Sequence, residues 1–158
     1  MFKKIFFLVL ISVLSANLCI AYDMSASAQE KKFIDYQVKK TINNFRIYRS
    51  AIYQTLEITP PQAIEIKKLD NEFYAQIKPV FVEDYYTMNR LSKITSKPKY
   101  SKSLVNVEKK KLKANSKILD KYKDEYEANL YEILTPAQKA KYEKLKKERI
   151  KEYKASIK

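Results

Sequence analysis

The side chains of this chain that can take part in chemistry are almost all lysines, carboxylates and tyrosines. The sequence has 32 Lys and Arg against 18 Asp and Glu, with 13 Tyr, one Cys and no His. It therefore lacks the usual zinc ligands and the Ser-His and Cys-His pairs of nucleophilic catalysis. It also has no Gly, which both a P-loop and a dinucleotide-binding turn require. We predict that the protein is not an enzyme, has no catalytic residues, and uses no cofactor or metal.

The chemistry that remains is weak binding. Many tyrosines stand beside lysines, as Tyr122 does between Lys121 and Lys123. Tyrosine rings bind apolar and polar groups at small entropic cost, and lysines attract acidic chains over a Debye length of roughly 8 Å. This combination favours a broad binding surface of low specificity. The candidate residues for that surface are Phe81, Tyr85, Tyr86, Lys141, Lys144 and Lys147.

The first 21 residues are typical of a cleaved secretory signal peptide. Lys3 and Lys4 form its charged start, and an apolar run over 5–14 follows. Small residues at the −3 and −1 positions predict cleavage after Ala21 or, as an alternative, after Ala28. An uncleaved anchor is a second alternative, but the apolar stretch is short and interrupted by polar residues. The mature protein would then begin near residue 22 and form a single helical domain over 22–158.

Export bears on the partners that the positive charge would attract. Removal of the signal leaves 30 basic and 18 acidic residues and no cysteine, so stability has to come from packing or oligomerisation rather than from disulfides. A basic chain ordinarily suggests nucleic acid. For an exported protein the acidic partners are instead unfolded proteins and anionic envelope surfaces, and we predict no nucleic-acid binding.

Two helix starts of the same design divide the rest of the chain. At the second, Thr135 can act as the N-cap, Pro136 fits the first helical position, and the Gln138 side chain can reach back to the N–H of the cap. Thr59 and Gln62 form the first copy, 76 residues earlier. The match continues beyond the caps in three apolar pairs: Ile66 with Tyr142, Leu69 with Leu145, and Ile77 with Tyr153.

Apolar residues recur at threes and fours along the whole chain, which predicts four helices and no strands. The first covers about 29–56, the second runs from the first cap to a polar loop at 95–103, and the others cover 104–134 and 136–157. Pro61 predicts a late start for the second helix, and Pro79 predicts a kink in it or, as an alternative, two shorter helices. The third helix has a strict seven-residue repeat, which predicts that Tyr126 packs in a seam. Its members are Val105, Leu112, Leu119, Tyr126 and Ile133.

The two cap segments resemble the paired Leu-Thr-x-x-Gln motifs of the Spy/CpxP family of small periplasmic proteins. Leu134-Thr135-Pro136-Ala137-Gln138 fits the motif fully, and Ile58-Thr59-Pro60-Pro61-Gln62 fits with Ile for Leu. The resemblance covers roughly residues 55–150. It implies an all-α fold of elongated antiparallel helical hairpins that assemble into a curved, cradle-like homodimer. It also implies an ATP-independent chaperone of the envelope stress response, which binds unfolded client proteins.

Two other functions remain open. The regulatory side of the same family implies an inhibitor that docks on the periplasmic domain of a two-component sensor kinase. A different class is a helical structural component of the envelope that binds anionic polymers. The absence of His and of methionine-rich termini departs from the metal-sensing members of the family.

Overall fold

A computed structural model describes residues 26–156, without the side chains of residues 26, 27, 153, 154 and 156. The described chain forms four α-helices and no strands: α1 (Ala26–Thr55), α2 (Pro60–Thr95), α3 (Lys102–Ile133) and α4 (Pro136–Ser156). The predicted all-α fold of about four helices is confirmed. The signal peptide at 1–21 and the segment on which cleavage after Ala21 depends lie outside the described residues. The homodimer also stays a prediction.

The second helix is continuous through its interior proline. α2 carries Pro79 inside it without a break, so the alternative of two shorter helices is wrong. Proline removes one backbone hydrogen bond from a helix, and the buried side chains of Ile77 and Phe81 on either side anchor the helix there. α2 also begins at Pro60, so the expected late start caused by Pro61 does not occur.

The first helix ends in a Schellman motif. The N–H of Ile58 donates to the carbonyl of Tyr53 at 3.4 Å, and the N–H of Glu57 donates to the carbonyl of Gln54 at 3.1 Å. Glu57 has a φ of 56°, in the left-handed region that glycine normally occupies. A side chain with a Cβ is strained there by about 1 kcal/mol. The backbone is therefore strained at this turn.

The chain divides into two compact units, and each is described by itself. Within the described residues, unit 1 contains 26–40 and 76–122, and unit 2 contains 41–75 and 123–156. The prediction of a single domain over 22–158 stays a prediction.

Unit 1 packs the first half of α1, the second half of α2 and the first half of α3. Two contacts show that successive helices are antiparallel: Lys93 lies 3.3 Å from Glu30, and Arg90 lies 3.1 Å from Glu108. The inner positions of the seven-residue repeat in this part of α3 are buried, as the pattern predicts. The buried apolar side chains are Ile34, Val38, Ile77, Phe81, Tyr85, Val105, Leu112 and Leu119.

Unit 2 contains the α1–α2 and α3–α4 junctions and the described part of α4. The repeat partners Ile66 and Tyr142 are both buried, and Leu69 and Leu145 are both half-buried, so the two halves of the repeat use equivalent faces. The side chain of Tyr153 lies outside the described residues. The buried apolar side chains are Ile42, Leu56, Ile66, Phe73, Tyr74, Tyr126, Leu130, Leu134 and Tyr142.

Candidate functional site

The two Thr-x-x-Gln segments form matching caps in unit 2. The N–H of Thr59 donates to Oε1 of Gln62 at 3.0 Å, and the N–H of Thr135 donates to Oε1 of Gln138 at 3.0 Å. At the second cap, the N–H of Gln138 also donates to Oγ1 of Thr135 at 3.3 Å, which completes a reciprocal capping box. Each glutamine thus turns its oxygen toward its own threonine, and its NH₂ group points elsewhere.

The NH₂ groups of the two glutamines link the caps to each other. Nε2 of Gln62 donates to Oε1 of Gln138 at 2.8 Å, and Nε2 of Gln138 donates to Oε1 of Gln62 at 3.1 Å. Each NH₂ group also reaches the end of a preceding helix. Gln62 donates to the carbonyl of Ile133 at 2.8 Å, and Gln138 donates to the carbonyl of Leu56 at 3.2 Å.

This amide pair joins the beginnings of α2 and α4 to the ends of α3 and α1. A helix end leaves four carbonyls without intrahelical partners, and the glutamines satisfy one at each junction. Because both side chains use their donors and acceptors within the protein, the geometry favours a structural lock over a ligand site. Local sequence signals did not predict this pairing, since a capping box requires only residues of its own turn.

A second polar cluster in unit 2 surrounds Asp70. Its Oδ1 accepts from Nη1 of Arg49 at 2.9 Å, from the hydroxyl of Tyr53 at 3.1 Å and from the hydroxyl of Tyr126 at 2.8 Å. The guanidinium of Arg49 lies 3.7 Å from the ring centroid of Tyr126 and 4.2 Å from that of Phe73. The ion pair is therefore enclosed by aromatic faces that also attract the cation.

The tyrosines of this cluster act as hydrogen-bond donors. Burial, reinforced by the nearby carboxylate of Asp70, raises the pKa of Tyr53 above its ordinary value. Burial likewise raises the pKa of Tyr126, although the Arg49 charge opposes it. Both phenols hold their protons at neutral pH, so the cluster has no general base of this type and its role is structural. Sequence analysis predicted the burial of Tyr126 but missed Arg49, Tyr53 and Asp70.

Lys146 occupies the repeat position that corresponds to Asp70, 76 residues later. Its Nζ lies 3.1 Å from Glu127 and 3.0 Å from Glu143, and 5.3 Å from the ring centroid of Tyr142. Burial raises the pKa of Tyr142 to about 12. The two hairpins of unit 2 therefore place an ion pair at the same repeat position, with the charges reversed.

Unit 1 contains a buried acid in a different setting. Asp84 is buried, and its Oδ1 accepts from Nδ2 of Asn115 at 2.8 Å. Burial raises its pKa to about 6, the neighbouring Glu83 adds to the rise, and the hydrogen bond from Asn115 opposes it. The partner here is a neutral amide, in contrast to the arginine at Asp70.

The aromatic residues that the sequence suggested for client binding lie mainly in the core of unit 1. Phe81 is completely buried, Tyr85 is buried and Tyr86 is half-buried. Phe81 and Tyr85 follow Ile77 at successive spacings of four, and this stripe continues through Pro79 because the helix does. With this packing, the unit does not expose Phe81 or Tyr85, and we leave both out of the binding surface proposed below.

The three suggested lysines lie on the exposed side of α4 in unit 2. Lys141 is 3.0 Å from Glu57, Lys144 is 3.9 Å from Glu148, and Lys147 is also exposed. Exposed pairs of this kind contribute roughly 0–1 kcal/mol. They are weak enough for a partner to displace.

An open groove of about 640 Å³ lies between α1 and α2 in unit 2. Arg46 and Lys67 stand on opposite sides, and the acids Glu57 and Asp70 also belong to the lining. The principal apolar and aromatic side chains of the lining are Tyr53, Ile58, Ile66 and Tyr74. A neighbouring depression shares Arg46 and is lined by Ile47, which is 62% exposed. Ile64, 73% exposed, lies one turn before Lys67 on α2. Sequence patterns gave no sign of this groove, because its residues come from two helices.

Comparisons with known proteins add no assignment to this geometry. Among residues 26–156, no group of three or more His, Cys, Asp or Glu side chains is placed to hold a metal ion. None of the described helices is long and apolar enough to cross a bilayer. No model of a known protein family, no curated protein and no solved structure matches this chain.

Proposed function

We propose that this protein is a periplasmic, ATP-independent chaperone similar to the Spy/CpxP family, and that it binds unfolded proteins through unit 2. The observation that carries the proposal is the open groove between α1 and α2, which has charged side chains of both signs beside apolar lining, with the exposed Ile47 and Ile64 on the same two helices. Exposed isoleucines beside a groove that carries both signs of charge suit a chain that offers both charged and apolar side chains. Neither feature requires a particular sequence.

The charges set the rate at which a client associates, and the apolar contacts set the rate at which it dissociates. Lys141, Lys144 and Lys147 extend the positive surface of unit 2 along α4, and such charges raise the rate of encounter with acidic segments. The groove is open, so a client side chain keeps part of its contact with water. Because apolar contact contributes only about 25 cal/mol per Å² of buried surface, a small contact area gives weak binding and allows release without a nucleotide.

The proposal is tested by the aggregation of unrelated denatured proteins at low salt without ATP. We expect suppression at near-stoichiometric amounts of the chaperone. The double variant I47S/I64S should lose most of it, while I118S, which changes an exposed isoleucine of unit 1, should retain it. Circular dichroism should show equal helix content in all three proteins. Absence of suppression by the wild type, or equal suppression by I47S/I64S, would overturn the proposal.

Regulation of a sensor kinase is the second candidate, and the exposure of Lys144 and Lys147 on one helix favours it. It predicts saturable binding to one periplasmic sensor domain that is lost in K144E/K147E. The chaperone hypothesis predicts instead that the wild type binds no sensor domain selectively and that K144E/K147E only captures clients more slowly. The predicted homodimer is checked separately by sedimentation velocity.

A further inference from the structure

The outward face of α3 in unit 1 carries apolar side chains that the core does not use. Its inward residues Val105, Leu112 and Leu119 are buried. On the other side Leu104, Val107 and Ile118 are 53%, 45% and 41% exposed. With exposed Lys111 and Ala114 between them, they follow spacings of three and four, so they share one strip. We call Leu104, Val107, Ala114 and Ile118 the apolar strip.

A second strip of lysines runs beside the first. Its members Lys110, Lys113, Lys117 and Lys121 also follow spacings of three and four, and all four are exposed. Over residues 102–122 there are seven lysines, and the two acids in this range, Glu108 and Asp120, are buried. The exposed surface of this part of α3 is therefore apolar along one side, apart from Lys111, which pairs with Glu108, and positively charged along the other.

We propose that this face of α3 binds the surface of an anionic lipid bilayer. A helix that lies in the plane of a bilayer surface places apolar side chains at the boundary between headgroups and acyl chains, and lysines among the anionic headgroups. Residues 102–122 form such a face over a length of about 30 Å. The adjoining loop contributes exposed Lys97, Lys99 and Tyr100.

The charge distribution also favours a bilayer over a second copy of the chain as the occupant. Two copies that meet at their apolar strips in antiparallel orientation would bring their lysine strips together, and like charges at close range repel each other. An anionic bilayer supplies the opposite charge over the whole face. This inference does not depend on the proposed chaperone activity, because the client groove belongs to unit 2.

The first test compares binding of the mature protein to vesicles of phosphatidylcholine with and without phosphatidylglycerol. We expect binding to the anionic vesicles, and binding about 100-fold weaker for K110Q/K113Q/K117Q, since each lysine near such a surface contributes to affinity. The matched control K141Q/K144Q/K147Q removes three charges from α4 and should change the affinity by less than about threefold, because these lysines are not part of the proposed face. Equal losses in both triple variants, or equal binding to neutral vesicles, would overturn the proposed site.

The second test addresses the apolar strip. L104S/V107S/I118S should bind anionic vesicles about tenfold more weakly and lose the part of the binding that persists at high salt. I47S/I64S should bind vesicles as the wild type does. Unchanged vesicle binding by the α3 variant, together with a loss of aggregation suppression, would show that the face is a client surface and would overturn the membrane proposal. Circular dichroism checks that each variant keeps its helices.

Discussion

Two aspartates of α2, fourteen residues apart, have side-chain partners of different kinds. In unit 2, Asp70 accepts from the guanidinium of Arg49 and from two tyrosine hydroxyls. In unit 1, Asp84 accepts from the amide of Asn115, and its pKa is raised to about 6. An enclosed carboxylate is stabilised when a cation offsets its lost hydration and is destabilised when its partner is neutral.

The contrast extends to the surroundings of each acid. Unit 2 links its helices through the Gln62–Gln138 amide pair and through the enclosed contacts of Arg49 and Lys146. In unit 1 the cations of the ion pairs are more exposed: Lys93 pairs with Glu30, and Arg90 pairs with the buried Glu108. We infer that removal of one of these polar groups weakens unit 2, whereas removal of the Asp84 charge stabilises unit 1.

The largest effect is expected from Asp70→Asn. It leaves the Arg49 guanidinium among aromatic rings without a counter-charge, and the loss of one partner of a buried pair costs about 3 kcal/mol. We expect a decrease of that size in the free energy of unfolding, measured by urea denaturation. Hydrogen exchange should show the loss of protection in 41–75 and 123–156. Exposed Asp124 is the matched control, and D124N should change stability by less than about 0.5 kcal/mol. A similarly small change for D70N would mean that water solvates Arg49.

The next effect concerns the amide pair. Gln138→Ala removes hydrogen bonds to Thr135, Gln62 and Leu56, and we expect a loss of about 2 kcal/mol, since each bond contributes roughly 0.5–1.5 kcal/mol net. Gln62→Ala should cost a similar amount. The double variant should cost less than the sum by about 1 kcal/mol, because the two side chains interact directly. Exposed Gln76 serves as the control site. If the losses of stability in the two single variants simply added in the double variant, the two glutamines would not stabilise each other, and the proposed structural role of the amide pair would be wrong.

Asp84→Asn is expected to increase the free energy of unfolding at neutral pH. The pKa of Asp84 is about 6 in the folded state and about 4 in the unfolded state. Between about pH 4 and about pH 6, the folded state therefore binds the proton more strongly than the unfolded state does. The free energy of unfolding contributed by Asp84 therefore falls as pH rises from about 4 to about 6 and stays low above that. D84N lacks this decrease and should be about 1–2 kcal/mol more stable than the wild type at pH 7.

The measurement is urea denaturation of both proteins at pH 4 and at pH 7. The stability advantage of D84N should be small at the lower pH and full at the higher one. Asp35, which is exposed, provides a control, and D35N should follow the wild type. If the advantage of D84N were the same at both pH values, the buried charge would not be its cause.

Sequence patterns predicted the helices because helix-forming signals are local. Spacings of three and four located the helices, and the seven-residue repeat correctly predicted that Tyr126 is buried. The contacts that join helices were missed, because a single sequence does not specify which faces meet. In the sequence, Arg49 and Asp70 look like ordinary solvated charges, because no local pattern shows that their helices pack against each other. Phe81 and Tyr85 were assigned to a surface, although their spacing from Ile77 continues a core stripe.

The threonine caps give a smaller and more local test within unit 2. Thr135→Ala should lower the free energy of unfolding by about 1 kcal/mol, the usual cost of losing an N-cap. We expect Thr59→Ala to cost less, because Oγ1 of Thr135 also accepts from the N–H of Gln138. Both variants should suppress aggregation as the wild type does. Loss of that activity at full stability would identify a threonine as a binding residue.

The smallest expected change in the free energy of unfolding is an increase, and it concerns the strained turn of unit 2. Glu57 holds a φ of 56°, and glycine adopts this conformation without a clash, although its unfolded state is more flexible. We expect Glu57→Gly to raise the free energy of unfolding by about 0.5 kcal/mol; loss of the exposed contact with Lys141 subtracts little. Glu132→Gly, an exposed position inside the last turn of α3, is the matched control and should lower it by about 1 kcal/mol. Urea denaturation distinguishes the two signs, and a loss at both positions would mean that the turn at Glu57 is held by its side chain rather than strained by it.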